Sequence, residues 1–414
     1  MNVTVYPGKL SGSVDIPSSK SFSHRCLIAA ALSDGVSVVS NVTNSVDIAA
    51  TVSAMTAMGA EISVNGSEYT VKGIASPKES AVIDCCESGS TLRFLIPVAS
   101  ALGISAEFRG RGKLPERPIT PYIREMSKKG VAFDYENTMP FSVSGKLCPG
   151  EYLLEGDISS QFITGLLFAL PLCAGDSVIK LTSRLESKPY ADMTVSVLRD
   201  FGISVREANI DGQLCYLIRG NQRYKAKNCA VEGDFSQAAF FFTANALGSS
   251  VDVKNLNKNS VQGDKKILEI LDEIGYNKNS GVLGSFTADA TDIPDLVPIL
   301  TVLASFTSEK SEIVGAKRLK IKESDRLTAI ANALNAIGGN VRAFEDRLEI
   351  IPVKGFKGGT VDGCNDHRIV MSAAIAALRA DAPVTILGAE AVNKSYPTFF
   401  DDFARLGGKI EITG

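Results

Sequence analysis

Apolar residues along this chain recur in two helical patterns. One places them at three- and four-residue intervals, which gives a helix with a single apolar face. The other packs them so densely that the helix is apolar nearly all round, as buried helices are. Six segments of the first kind share one layout, an amphipathic helix, a glycine, then a short strand: SAMTAMGAEISV, REMSKKGVAFDY, SVLRDFGISVRE, EILDEIGYNKNS, NALNAIGGNVRA and DDFARLGGKIEI. Their glycines, Gly59, Gly130, Gly202, Gly275, Gly338 and Gly407, are separated by 71, 72, 73, 63 and 69 residues. Glycine enters the left-handed conformation that closes a helix, so each marks a helix end and the exit into a strand.

A helix of the second kind precedes each of these, and each begins at a small-polar or charged turn. The turns read SSKSFSHR, ESGSTLRF, ISSQFITG, GDFSQAAF, DIPDLVPI and NDHRIVMS. Six α/β repeats of about seventy residues predict two domains of three repeats, with the apolar helices inside. The polar passage RGNQRYKAKNCAVEGD is expected to carry one crossing, at 226–232. The other is expected near 18–20, with the opening strand MNVTVYPG paired to the C-terminal half. The expected domains are therefore 1–18 with 229–414, and 19–228.

Capping accounts for Ser, Asp and Asn at these turns, but not for the cations among them. SSKSFSHR carries Lys20, Ser21 and Arg25; ESGSTLR carries Gly89, Ser90, Thr91 and Arg93; GDISSQ carries Ser159, Ser160 and Gln161; NDHR carries Arg368. Elsewhere, LPERPI supplies Arg117, SKPY supplies Ser187 and Tyr190, KIKESDR supplies Lys322 and Arg326, and NKSYP supplies Lys394. Helix N-termini attract anions through their unpaired N–H groups, and guanidinium forks grip phosphate and carboxylate bidentately. Two carboxylates, Asp295 in DIPD and Glu323 in KIKES, lie among these cations. An acid so placed keeps a low pKa in an empty site, and a bound polyanion pushes it up into a range useful for proton transfer. The pattern predicts acid/base chemistry on a multiply anionic small molecule.

The bulk composition narrows the class. A formal net charge of −3 gives no global basic field for nucleic acid or an anionic membrane surface. The eight cysteines show no C-x-x-C spacing and the two histidines, His24 and His367, are far apart, so no metal site is expected. The sequence opens without a basic or apolar leader pattern and holds no apolar run long enough to span a bilayer, which with free thiols predicts a reducing cytoplasm.

Taken in order, PSSKSFSHR, SGSTLRF, LPERPI, GDISSQF, SKPY, DIPD, IKESDRL, NDHR and NKSYP resemble the motifs of the 5-enolpyruvylshikimate-3-phosphate synthases (3-phosphoshikimate 1-carboxyvinyltransferases) over essentially the whole chain. The resemblance implies an inverse α/β architecture of six βαβαββ-type repeats, three per domain, closing over the ligands. The implied reaction moves the enolpyruvyl group of phosphoenolpyruvate to the 5-hydroxyl of shikimate 3-phosphate, by addition and elimination, on the route to chorismate and the aromatic amino acids. No cofactor or metal is implied, and the implied state is a monomer, inhibited by glyphosate. Carried over residue by residue, shikimate 3-phosphate meets Lys20, Ser21, Arg25, Ser159, Ser160, Gln161, Ser187, Asp295 and Lys322. Phosphoenolpyruvate meets Lys20, Gly89, Arg117, Gln161, Arg326, Arg368 and Lys394. Asp295 accepts the proton of the 5-hydroxyl, Glu323 protonates the methylene carbon, and Lys20 spans both ligands.

The chain departs from the family pattern at Glu87, where many relatives carry Asn, at Phe94, and at Arg318, whose counterpart touches the acceptor in some relatives. The nearest rival is UDP-N-acetylglucosamine enolpyruvyl transferase, which shares the six repeats. It requires a cysteine in a loop that here reads RGRGKLPERP. A non-catalytic anion-binding relative is the other alternative. His24 is expected to cap or pack, His367 either to orient Arg368 or to be structural, and Tyr190 either to stack on substrate or to pack. Arg93 either binds or braces the SGST turn. Arg124, Lys128 and Lys129 read as a solvated helix face.

Overall fold

The computed structural model describes residues 1–276 and 282–414. The chain forms two compact units, Met1–Pro17 with Gly233–Gly414, and Ser18–Glu232. Each has its own apolar core.

In the second unit the six helices are α1 (Lys20–Ala31), α2 (Val46–Met58), α3 (Gly89–Leu102), α4 (Thr120–Met126), α5 (Ser160–Ala169) and α6 (Lys188–Asp200). Odd-numbered helices are the inner ones: nine of the ten residues of α5 are buried, against five of thirteen in α6. Helices α3 and α5 each connect two parallel strands. Ser80–Asp84 and Ser105–Arg109 flank α3, and Glu151–Leu154 and Ser177–Leu181 flank α5. The outer helix then leads into an antiparallel pair that completes a four-stranded sheet.

The first unit repeats this plan with α7 (Phe235–Ala246), α8 (Lys266–Glu273), α9 (Val297–Ala304), α10 (Arg326–Ala336), α11 (His367–Ala377) and α12 (Phe399–Arg405). All eight residues of α9 and all eleven of α11 are buried. The glycines that end the outer helices all have positive φ, from 79° at Gly275 to 119° at Gly59, as the repeat predicts. The strand expected after Gly275 falls on residues 277–280, outside the described residues.

Two repeats of the first unit and one of the second are closed by a strand from far away in sequence. In the first unit Ser11–Asp15 pairs in parallel with Ser250–Lys254, and Asn2–Val5 lies antiparallel between Val384–Leu387 and Ile410–Thr413. In the second, Cys229–Ala230 pairs in parallel with Val39–Ser40. This corrects the expected boundary at 229: the segment 229–232 belongs to the second unit. Val231 N donates to Ser40 O at 3.0 Å, and Asn41 Nδ2 to Val231 O at 2.6 Å. Ser18 belongs there too, through reciprocal hydrogen bonds with Thr43 at 2.7 to 3.0 Å.

Among the described residues no helix is long and apolar enough to cross a membrane, and no cluster of His, Cys, Asp and Glu could hold a metal ion.

Candidate active site

In the second unit the starts of α1, α3 and α5 are tied together by side chains. Ser19, Ser88 and Ser159 are their N-caps, each accepting from a backbone N–H of its own first turn. Helices α3 and α5 approach closely because Gly165 has no side chain. A Cβ there would stand 2.2 Å from Tyr122 Oη and 2.3 Å from Arg93 O. Tyr122 Oη donates to both helices, to Arg93 O at 2.7 Å and Phe162 O at 2.9 Å.

This packing puts Gln161 over the SGST turn. Its Oε1 accepts from Arg93 Nη1 at 2.7 Å, and its Nε2 donates to Ser90 Oγ at 3.2 Å. Arg93 also donates to Pro118 O at 3.2 Å, so it braces both the turn and the LPERPI loop. Arg117 is 7% exposed, and a Cβ on Gly89 would stand 2.7 Å from its Nη1 and 3.3 Å from Gln161 Oε1. Gly89, Arg117 and Gln161 are therefore neighbours, as the motifs predicted, and the glycine leaves the space the guanidinium occupies.

Arg25 is buried and held by neutral oxygens: Thr194 Oγ1 at 2.8 Å, Ser21 O at 2.8 Å, Tyr190 O at 3.0 Å and Thr164 Oγ1 at 3.4 Å. Burial lowers it to about 10. Ser187 caps α6 in the left-handed conformation, with φ 55°, and its carbonyl accepts from Tyr190 N at 3.0 Å, which links this turn to Arg25. Lys20 forms a 2.8 Å ion pair with Asp47. His24 packs as expected: its Nδ1 is 2.8 Å from Thr51 Oγ1, its ring meets Phe94 edge-on, and burial keeps it neutral at physiological pH. Glu125 gathers Arg124 and Lys128 at 2.9 and 3.1 Å, away from the SGST turn.

In the first unit a guanidinium collects three carboxylates. Arg326, 1% exposed, opens α10 and donates to Asp295 Oδ1 at 2.8 Å, Glu323 Oε2 at 2.6 Å and Asp366 Oδ2 at 2.9 Å. Arg368 donates to the other oxygen of Asp295 at 2.7 Å and to Ser236 Oγ at 3.0 Å. Burial pushes Asp295 up, but Arg368, Arg326 and Lys322 outweigh it and hold the carboxyl well below the usual range. Burial brings Lys322 down to about 8 against the pull of Asp295. Lys394 donates to Asn365 O at 2.7 Å, beside the start of α11. Asp295, Lys322, Glu323, Arg326 and Arg368 are thus brought together; Lys394 reaches the same helix start through the backbone.

One capping detail differs from expectation. The DIPD turn does not cap its helix by a side chain: the N-cap of α9 is Leu296, because the Asp295 carboxylate is taken by the two arginines. In KIKESDR it is Asp325 that caps α10, while Ser324 Oγ donates to Asp366 at 3.0 Å. The sequence reading passed over Asp366, Ser236, Asp47, Thr164 and Thr194. Asp366 was visible in NDHR, but its capping of α11 masked its second role. Arg318 is buried and donates to Thr291 O. His367 is buried with Nδ1 3.9 Å from Asp366 Oδ1, too long for a hydrogen bond.

Helix starts carrying cations, beside carboxylates locked between arginines, define an α/β enzyme built for small polyanions. Comparison with known proteins narrows that class. The family model described as EPSP synthase (3-phosphoshikimate 1-carboxyvinyltransferase) matches residues 5–403, and the chain belongs to that family. It is 44% identical to a 3-phosphoshikimate 1-carboxyvinyltransferase of Clostridium beijerinckii, over 99% of this chain and 98% of the relative. The protein of the same name from Clostridioides difficile is 43% identical over the same shares. Among solved structures, an EPSP synthase from Acinetobacter baumannii superposes with a TM-score of 0.83 at 25% identity, each chain fully covered. The architecture is the two-domain inverse α/β fold of that family.

Proposed function

We propose that the chain is a 3-phosphoshikimate 1-carboxyvinyltransferase, moving the enolpyruvyl group of phosphoenolpyruvate to the 5-hydroxyl of shikimate 3-phosphate and releasing phosphate. The observation that carries the mechanism is that Asp295 and Glu323 grip the same guanidinium, Arg326, at 2.8 and 2.6 Å. An ionised Asp295 is ready to accept the hydroxyl proton, while Glu323 protonates the methylene carbon. The C2 cation character that this builds is quenched by the attacking oxygen, giving a tetrahedral intermediate. Loss of a methyl proton and of phosphate then restores the enol ether.

In this reading Lys20, Ser21, Arg25, Ser159, Ser160, Gln161 and Ser187 of the second unit bind shikimate 3-phosphate, with Asp295 and Lys322 of the first. Lys20, Gly89, Arg117 and Gln161 bind phosphoenolpyruvate, with Arg326, Arg368 and Lys394. Lys20 meets both ligands, so Lys20→Met weakens both. Glyphosate competes for the phosphoenolpyruvate groups, the bare Gly89 leaving room beside Arg117. The enzyme works as a monomer in the cytoplasm, where its eight free thiols stay reduced.

A coupled phosphate-release assay tests the reading. Release from phosphoenolpyruvate with shikimate 3-phosphate, and none with UDP-N-acetylglucosamine, is expected. Release with the sugar nucleotide alone overturns the acceptor, and silence with both overturns the transferase.

A further inference from the structure

We propose that His24, Thr51, Thr91 and Ser88 form a one-way hydrogen-bond relay that positions the SGST turn, with His24 as its first donor. All four side chains are buried, at 0 to 1% exposure. They come from three helices: His24 from α1, Thr51 from α2, and Thr91 from the first turn of α3, which Ser88 caps. His24 Nδ1 lies 2.8 Å from Thr51 Oγ1, Thr51 Oγ1 lies 2.7 Å from Thr91 Oγ1, and Thr91 Oγ1 lies 2.8 Å from Ser88 Oγ.

The direction follows from one proton per hydroxyl, which can donate once and accept twice. Thr91 donates to Ser88, so in its contact with Thr51 it accepts. Thr51 has then used its proton, and in its contact with His24 it accepts in turn. His24, kept neutral by burial beside Lys20 and Arg25, therefore carries its single ring proton on Nδ1. Its Nε2 is buried and meets no polar partner among the described residues. The relay ends at Ser88 Oγ, which accepts from both the Thr91 hydroxyl and the Thr91 backbone N–H, the latter at 3.1 Å. Gly89 and Ser90 lie inside the turn so closed, and Gln161 Nε2 holds it from the other side at Ser90 Oγ. Removing a link strands a buried donor on one side and a buried acceptor on the other, and a shift of the turn relieves both. His24 and Thr51 are thus positioning residues, acting through the turn that sets Gly89 beside Arg117. The kinetic consequence rests on the function proposed above, and the relay itself does not.

The test is nitrogen NMR of the full chain, whose two histidines are readily told apart by substitution, together with the phosphate-release assay. His24 is expected as the neutral tautomer protonated at Nδ1. A ring protonated at Nε2 alone, or at both nitrogens, overturns the relay. Thr51→Val keeps the side chain's shape and removes the hydroxyl. It should move the amide resonances of Gly89 and Ser90 and raise the KM for phosphoenolpyruvate by up to about tenfold, the worth of one hydrogen bond, with kcat little changed. Thr51→Ser, which restores the hydroxyl, should bring the resonances and the KM back. An asparagine amide presents its N–H where Nδ1 stood, and a glutamine amide where Nε2 stood. His24→Asn should therefore keep the KM near that of the wild type, and His24→Gln should raise it. An unchanged KM in Thr51→Val, or equal effects of Asn and Gln, overturns the positioning role. If no acceptor supports phosphate release, the tautomer and the Gly89 and Ser90 resonances still decide the relay. The wild-type tautomer decides it even where a variant fails to fold.

Discussion

Arg25 in the second unit lies among neutral oxygens, whereas Arg326 in the first is enclosed by three carboxylates. Both are buried. Burial brings Arg25 down to about 10, while Arg326 is raised by Asp366, Glu323 and Asp295 in spite of burial. A cation held by hydroxyls and carbonyls keeps its charge available to a ligand. One held by carboxylates is shared with them and keeps those acids aligned. Around Arg326, three cations (Lys322, Arg326 and Arg368) face three carboxylates (Asp295, Glu323 and Asp366). An arriving phosphate tips that balance toward negative and works against the cations that hold Asp295 low. The guanidinium of the second unit is thus set among neutral groups, and that of the first among acids it aligns.

The contrast breaks most visibly at Glu323. Glu323→Gln should cut kcat by a factor on the order of 10²–10⁴, while calorimetry finds shikimate 3-phosphate affinity nearly unchanged. Lost affinity with retained turnover would overturn the proton-donor role of Glu323.

Stability gives the next largest effect. Asp366→Asn removes a fully buried carboxylate from Arg326 and Ser324. Breaking such a pair costs roughly 3–5 kcal/mol in urea unfolding. Thr194→Val takes one neutral acceptor from Arg25 and should cost only about 1–3 kcal/mol. Equal losses would show that the two guanidinium environments do not differ in kind.

The repeat plan was legible in the sequence because its signals are local: a glycine at a helix end, a capping residue at a start, and an apolar stretch between. The six glycines and the five side-chain N-caps on inner helices follow from chemistry within a few residues. The clustering of Gly89, Arg117 and Gln161 was legible by motif. What escaped depends on partners distant in sequence. The pair Cys229–Ala230 is too short to carry an alternation, so its membership in the second unit rests on Val39 and Ser40. Asp366 reads as a cap, and only the fold reveals that its other oxygen belongs to Arg326. Thr164 and Thr194 look like ordinary polar positions on helices until Arg25 is placed between them.

A smaller effect is expected at Gly89. Gly89→Ala puts a methyl 2.7 Å from Arg117 Nη1, so the guanidinium must move. The KM for phosphoenolpyruvate should rise several-fold and glyphosate inhibition weaken, with shikimate 3-phosphate binding little changed. An unchanged KM would separate Arg117 from the donor.

The smallest effect is a pH slope. Lys322 is held at about 8 in the folded chain, below the ~10.4 of an unfolded lysine. Below about pH 8 both states carry the proton and its burial costs stability in full; between about 8 and 10.4 the unfolded state binds more protons, so that cost is relieved as pH rises. Comparing urea midpoints of the wild type and Lys322→Met across this window should show the wild type gaining relative to the variant. A parallel response would place Lys322 in ordinary solvent.

The strand Asn2–Val5 has consequences for the order of assembly. Its neighbours, Val384–Leu387 and Ile410–Thr413, are translated long after it. On the ribosome, the second unit can complete its last sheet once Cys229–Ala230 emerges, while the opening strand still waits for a place. A segment made well before its partners is among the last to be seated, and until then its apolar Val3 and Val5 are exposed to whatever chaperone or stray sheet edge they meet first.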